Sequence, residues 1–405
     1  MKAISPKLSL PECLKRTREW AEFALPALLD LACDEQCGGF AERFDWVGTP
    51  IDPGFKRVRV TGRQLYVFTH AALGDVGGAR EVAERGAAFL KSRCLRQDRQ
   101  FASRLGSDGT LLDPTSDLYD IAFGLFALAW WYKLSGDAEA VEMADTALAH
   151  LRETMRSPSG RGYLARQDDC GQHQQNPHMH LFEAAIFLAS FTGSEAARQL
   201  ADELFDLASN TLFDPVTGTL PEFFDEDWRA GDNSGTIRIE PGHHYEWVWL
   251  LCRYGDLARC PEAFAIADLL YTFAQAHGHD PVTGLIVDAV DPAGLVLAGD
   301  LRIWPNTEYL KAQVAMRERH GQGPGFDDMA IADNLTRIFD HFLTPRCTGP
   351  ASTLPPGLWI DYLASPSLQP KCDHIPASTL YHIMFGFSEV LRHVNGHGPF
   401  SGKPW

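Results

Sequence analysis

Apolar residues recur at three- and four-residue spacing along nearly the whole chain. Leu118, Ala122, Leu125, Phe126 and Ala129 form one such stripe, with the period of a helix that buries one face. Stretches of this kind, rich in Ala, Leu and Phe, cover residues 11–33, 57–74, 78–95, 118–135, 138–155, 179–192, 194–210, 242–255, 260–278, 305–319, 327–343 and 377–395. The pattern predicts twelve helices.

The gaps between them are also patterned. Asp214-Pro-Val-Thr-Gly218 returns unchanged as Asp280-Pro-Val-Thr-Gly284. Weaker copies, each a glycine followed by a short apolar stretch and an acid, start at Gly39, Gly109, Gly162, Gly218, Gly284 and Gly357. Each reads as a turn glycine feeding a short extended segment. All six follow an odd-numbered helix and precede an even-numbered one. Six helical hairpins, each with a short strand at one end, predict an all-α (α/α)6 toroid. An open helical solenoid is the alternative. Closure is preferred because six hairpins account for nearly all 405 residues. No linker-like stretch interrupts them, so one domain over residues 1–405 is expected.

Charge narrows the partners. Lys and Arg number 36 against 53 Asp and Glu, a net charge of −17. Phosphate backbones and anionic membranes call for the opposite balance, so neither nucleic acid nor membrane is an expected partner. No apolar run reaches the roughly 20 residues of a membrane helix, and no secretion signal is read over Met1–Leu10. The nine cysteines follow no paired pattern, which fits reduced thiols and a cytoplasmic protein. Cys33 and Cys37 lack the second ligand pair of a zinc site.

The unusual polar residues collect where the even-numbered helices begin. Arg63 lies in the second. Asp117 and Asp120 open the fourth, Asn176 and His180 the sixth, His243 and Glu246 the eighth, and Trp304 and Glu308 the tenth. His382 lies early in the twelfth. If alternate helices form an inner ring, these residues meet at one mouth. Free N–H groups and partial positive charge there favour a developing anion and lower the pKa of a nearby histidine. Taken singly, each has a plainer role: Asp117 as a cap, Glu246 as a capping-box acid, Trp304 as core, Arg63 in an ion pair. Taken together, three histidine-bearing termini and an arginine point to acid–base chemistry, with Trp304 as a platform for a sugar ring. His178-Met-His180 has no carboxylate at metal spacing beside it, so no metal is expected. Nucleotide loops of the GxGxxG and GxxxxGK[ST] types and a GxSxG elbow are absent, and no cofactor is expected.

The ordered set Arg63-Gln-Leu-Tyr-Val-Phe68, Asp117-Leu-Tyr-Asp-Ile-Ala-Phe123, Asn176-Pro-His-Met-His-Leu-Phe-Glu183, Pro241-Gly-His-His-Tyr-Glu246-Trp, Trp304-Pro-Asn-Thr-Glu308 and Tyr381-His382 resembles the N-acylglucosamine 2-epimerase superfamily. These are sugar 2-epimerases and aldose–ketose isomerases on an (α/α)6 barrel. The resemblance implies a central Arg63, three histidines (His180, His243 and His382), a Glu246 that pairs with His243, and a sugar site lined by Asn176 and Trp304. Asp117, Glu308 and His374 are expected to contact substrate as well. Within the superfamily, Pro376–His382 and Glu222–Trp228 look most like the mannose isomerase branch, while Ile383, Met384 and Phe385 depart from the epimerase pattern.

What this implies is cofactor-independent interconversion of D-mannose and D-fructose through a cis-enediolate. His382 is the expected base, His243 the partner that assists ring opening or moves the proton between O1 and O2, and Arg63 the stabiliser of the enediolate. A sugar 2-epimerase of the mannose/glucose, cellobiose or N-acylglucosamine type, using the same histidines, is the alternative. A glycoside hydrolase with a carboxylate pair and a non-catalytic sugar-binding protein stand behind it. The expected partner is a monosaccharide. Whether the chain is a monomer or a homo-oligomer is left open by the sequence.

Overall fold

A computed structural model describes residues 8–168, 172–344, 351 and 354–404. Among them run twelve α-helices: α1 (Leu10–Ala32), α2 (Val58–Leu73), α3 (Ala79–Phe89), α4 (Leu118–Ser135), α5 (Ala138–Thr154), α6 (Gln175–Thr192), α7 (Glu195–Leu207), α8 (Pro241–Ala258), α9 (Pro261–His277), α10 (Ile303–His320), α11 (Asp328–Ile338) and α12 (Leu380–Val394). The toroid expected from the sequence is the observed fold. The boundaries differ in two respects. α6 starts four residues earlier than its apolar pattern, because its first turn is polar and faces a cavity. α3, α7 and α11 each end in a wider π-helical turn, at Leu90–Cys94, Ala208–Leu212 and Phe339–Leu343.

The two sets of helices differ in how they are buried. α7 hides one stripe, Ala197, Leu200, Ala201, Leu204 and Phe205, and is an outer helix. α4 hides almost every residue from Leu118 to Trp131, as an element packed on all sides must. The even-numbered helices form the inner ring. Each packs on the next, and α12 packs back on α2, so the ring closes and the open solenoid is excluded. Close approach is secured at Gly62 on α2, where a Cβ would overlap the Phe123 carbonyl oxygen of α4.

Aromatic rings fill the axis below the mouth. Tyr66 and Phe126 have centroids 5.1 Å apart, Phe126 and Phe187 5.5 Å, and Trp249 and Phe385 5.0 Å, in the tilted and edge-on arrangements that such rings favour. At the far end a buried polar cluster takes over. Arg392 on α12 bonds Glu318 on α10 at 2.8 Å, and Arg253 on α8 pairs with the same Glu318. Trp249 donates its indole N–H to Glu389 at 2.6 Å. The short strands lie in the connections from odd to even helices. The duplicated pentapeptide is a duplicated turn. Gly218 and Gly284 sit at φ +69° and +71°, and their N–H groups donate to the carbonyls of Asp214 and Asp280, both at 2.8 Å. No helix among the described residues is long and apolar enough to cross a membrane.

Gly62→Ala tests the contact between α2 and α4 by its sign. In an ordinary helix interior Ala is preferred over Gly by about 1 kcal/mol. Here overpacking should dominate and cost about 1–3 kcal/mol, read as a lower midpoint in urea unfolding.

Candidate active site

One position in the inner ring builds most of the site. The sixth residue of α2 is Arg63, of α4 Phe123, of α6 His180, of α8 Glu246 and of α10 Glu308. In the sixth hairpin a 3-10 turn, Ala377–Thr379, precedes α12, and the sixth residue from its start is His382. The fourth residues of three of these helices serve the scaffold. His178 accepts the N–H of Tyr163 at 2.9 Å, His244 that of Leu220 at 3.0 Å, and Asn306 that of Ile286 at 3.2 Å. Each ties a glycine-turn connection to the helix that follows it. His178 and His244 are accordingly structural, and burial lowers the pKa of both, to about 4 and about 3.

Above the sixth-position ring lies a cavity of about 480 Å³ lined by Arg63, Asn176, His180, His243, Glu246, Trp304, His374 and His382, among others. That volume suits a small-molecule site. The Trp304 ring lies between two imidazoles, with centroids 4.9 Å from His243 and 5.6 Å from His382. Gly242 makes room for it, since a Cβ there would come within 2.7 Å of the indole.

The two flanking histidines have opposite electrostatics. The Nδ1 of His382 lies 2.8 Å from Glu308 Oε1. Burial, with Arg63 and Lys311 nearby, outweighs that carboxylate and lowers the pKa of His382 to about 4. The ring is neutral near pH 7. Glu308 accepts the Nδ1 proton, and the Nε2 lone pair is left for the cavity. The Nδ1 of His243 lies 2.9 Å from Glu222 Oε1 and 3.6 Å from Glu240 Oε2. Burial pulls against the charged form, but Glu222, Glu240 and Glu246 raise the pKa of His243 to about 9. This ring is a cation near pH 7. The general lowering expected from helix N-termini therefore fails at His243, where two carboxylates dominate. His180, 3.2 Å from Glu183 and 3.7 Å from Glu246, is held neutral by burial and by Arg63.

Arg63 donates from Nη2 to the Tyr119 hydroxyl at 2.6 Å and stacks on Phe123 at 4.2 Å. Its Nε is buried without a hydrogen-bond partner, and among the described residues it forms no ion pair. Both carboxyl oxygens of Glu246 are likewise unpartnered. Burial, then Glu308, raises the pKa of this group well above that of an ordinary carboxyl.

Three expectations are corrected. Glu246 does not pair with His243. On the inner ring it points to the axis beside His180, whereas His243 turns outward to Glu222, which a short strand pairing of Phe223–Phe224 with His173–Gln174 brings alongside. Glu308 does not line the cavity: it is wholly buried and holds His382. Asp117 does not line it either. It caps α4 through the N–H groups of Tyr119 and Asp120 and pairs with Arg59 at 3.1 Å. His374 lies at the cavity wall, its Nδ1 2.6 Å from Asp373. Glu222 and Glu240 are site residues that sequence reasoning does not reach. Glu222 heads the acidic run Glu222–Trp228, but nothing in that run points to His243. Arg57, Arg302 and Asp361 also line the cavity without a sequence signal.

Metal donors gather through the fold rather than through sequence spacing. The ring brings together His180, Glu183 and Glu246; Glu222, Glu240 and His243; and Glu246, Glu308 and His382. In the last set Glu308 is committed to His382 on one oxygen and to the Lys311 ammonium on the other, so a cation is already in place. In the middle set a metal would have to displace the Nδ1 proton of His243.

Residues 38–386 match the sequence model of the family described as N-acylglucosamine 2-epimerase (GlcNAc 2-epimerase). The chain is 31% identical over 382 residues to the mannose-6-phosphate isomerase of Rhizobium meliloti (strain 1021), covering 91% of this chain and 93% of that one. It is 27% identical over 246 residues to a cellobiose 2-epimerase of Ruminococcus albus, covering 55% and 60%. The crystal structure of a D-mannose isomerase superposes with a TM-score of 0.78 at 20% identity, covering 95% and 97%; at that identity the likeness is one of fold.

Glu222→Gln should lower the His243 midpoint from about 9 by at least one unit, read by NMR titration of the imidazole. The linked stability has a definite sign. The folded pKa lies above the unfolded 6.5, so the contribution is full below pH 6.5 and is lost as pH rises through 9. Stability in chemical denaturation should weaken over that window in the parent protein, and by less in the variant.

Proposed function

The chain belongs to the N-acylglucosamine 2-epimerase family, and on that premise we propose that it is a cofactor-independent aldose–ketose isomerase interconverting D-mannose and D-fructose. One observation carries the reading: a neutral imidazole and a protonated imidazole face one cavity across a single tryptophan ring. Two like groups with pKa values pushed apart are the mark of a base and an acid.

The sugar reacts as the open-chain aldose. His382 Nε2 takes the proton from C2, and the electron pair moves through C1 to O1. His243 gives its Nε2 proton to O1, and Arg63 offers a cation to the enediolate. Electrostatic aid of this kind is the largest catalytic contribution in many enzymes. His243 then recovers a proton from O2 as the C2 carbonyl forms, and His382 returns its proton to C1. Protons and electrons balance, and both rings end as they began. In this reading His180, Asn176 and Glu246 bind sugar hydroxyls, and Trp304 stacks against the carbon skeleton.

The name of the relative that is 31% identical, a mannose-6-phosphate isomerase, supports isomerisation over hydrolysis. The rim arginines bear on phosphorylation of the substrate. Arg57 pairs with Glu42 at 2.8 Å and Arg302 with Asp288 at 3.2 Å, and Glu222, Glu240 and Asp361 add negative charge to the lining. This balance supports a neutral hexose over its 6-phosphate. Epimerisation at C2 is the second reading, favoured by His243 itself: a protonated ring on the other side of the sugar is placed to give C2 a proton on the opposite face.

NMR of D-mannose incubated with the protein in D2O separates the readings. The expected product is fructose carrying deuterium at C1. Glucose deuterated at C2 would establish the epimerase instead, and conversion of mannose 6-phosphate alone would overturn the neutral-sugar assignment. His382→Asn should lower kcat by about 10²–10⁴-fold while sugar binding persists. In the parent protein kcat/KM should fall below about pH 4 as His382 protonates, and above about pH 9 as His243 loses its proton.

A further inference from the structure

We propose that Lys311, which has no access to the cavity, is a positioning residue that fixes the protonation state of the Glu308–His382 pair and so keeps His382 a free base. The inference rests on the reading of His382 given above and extends it to a residue that never meets the sugar.

Lys311 is wholly buried. Its ammonium lies 2.7 Å from Glu308 Oε2 and 4.0 Å from Glu183 Oε1. It approaches Glu308 without hydrogen-bond alignment, so the contact acts through charge. The rest of its surroundings are aromatic faces, Phe385 at 4.3 Å and Trp249 at 4.5 Å. A buried ammonium is costly to desolvate, and packing gives no reason for one here.

The charge count supplies a reason. Three carboxyl groups, Glu183, Glu246 and Glu308, reach the axis from α6, α8 and α10. Facing the pair are also His180 from α6, Arg63 and Tyr66 from α2, Tyr119 from α4 through Arg63, and Tyr381 from α12, which donates to Glu183, while His243 from α8 shares the Trp304 ring with His382. Burial raises the pKa of Glu246 well above the usual range and that of Glu183 to about 7. Glu308 is equally buried, yet its pKa is lowered, by Lys311 and then by His382. Of the three, the carboxyl group whose pKa is lowered is the one nearest Lys311. Without that charge, Glu308 and His382 would carry an uncompensated negative charge in a dry site. The pair would relieve it by binding a proton, either on His382 Nε2 or on Glu308. The first outcome removes the lone pair, and the second removes the acceptor that orients it.

The test is the ionisation of His382 in Lys311→Met, followed by ¹⁵N NMR of labelled histidine and assigned with His382→Asn. Lys311→Gln serves as a second neutral variant should the first not fold, and Lys311→Arg keeps the charge. The parent protein should show a neutral ring protonated on Nδ1, with a midpoint near 4. Either neutral variant should raise that midpoint by at least one unit and shift the acid limb of kcat/KM upward by the same amount. Lys311→Arg should bring both back toward the parent values. A midpoint unmoved in the neutral variants, or a parent ring protonated on Nε2, overturns the proposal even if activity falls, because loss of activity alone is what a merely structural lysine would give. The functional reading fails separately. If the parent protein converts no aldose while the midpoint still moves, the charge coupling stands and the catalytic role of His382 does not.

Discussion

An imidazole has two nitrogens, and in this cavity each of the two flanking rings has one of them committed to a buried carboxylate. That commitment determines the rest. With Nδ1 tied to Glu308 or Glu222, each ring is fixed in orientation, and only Nε2 is available to a ligand. The difference between the rings then lies in what surrounds the carboxylate. Glu308 is shared with an ammonium, so its pull on the proton is spent and His382 stays neutral. Glu222 is joined by Glu240, so the pull is doubled and His243 stays charged. The same side chain therefore takes opposite protonation states in one cavity without any change of backbone.

A closed ring of helices is well suited to this arrangement. Each inner helix contributes its sixth residue to one level, and the helices are buried on all sides, so those side chains are held by packing rather than by flexible loops. Pre-organisation of this kind is what electrostatic stabilisation needs, since no dipole has to reorient when charge develops. The scaffold histidines His178 and His244 sit two residues before the sixth position and lock the mouth connections to the same helices. The level of the site and the loops above it are thus registered by one set of hydrogen bonds.

How much of this is visible in the sequence follows from the range of the interaction involved. Helices and turns are local, and they are legible: the twelve apolar patterns and the duplicated Asp-Pro-Val-Thr-Gly turn lead to the ring. The gathering of Arg63, Asn176, His180, His243, Glu246, Trp304 and His382 is legible too, because helix starts in a ring share one end. Partnerships are not. Spacing favours Glu246 as the partner of His243, since residues three apart on a helix usually face each other. On an inner helix radial direction matters more, and the true partner comes from a strand before the helix. Glu308 resembles a ligand contact because it opens its helix, yet its carboxyl is wholly buried between His382 and Lys311. Lys311 and Glu308 read in sequence as an ordinary helical pair three residues apart, and the burial and neighbouring carboxyl groups that give Lys311 its meaning come from two other helices. The start of α6 escapes the pattern for a related reason: a first turn that serves a cavity carries no apolar period.

The far end of the ring holds one more implication. Arg253, Arg392, Glu318 and Glu389, with the aromatic rings above them, turn the barrel into a cul-de-sac. Reactant and product have to use one doorway in turn, and nothing can be discarded through the back. A hydrolase, which must admit water and let two fragments go, gains from an open groove. An isomerisation sends out the same atoms that came in, and a blind cup is sufficient for it. The traffic that such a cup permits is one molecule exchanged for one molecule.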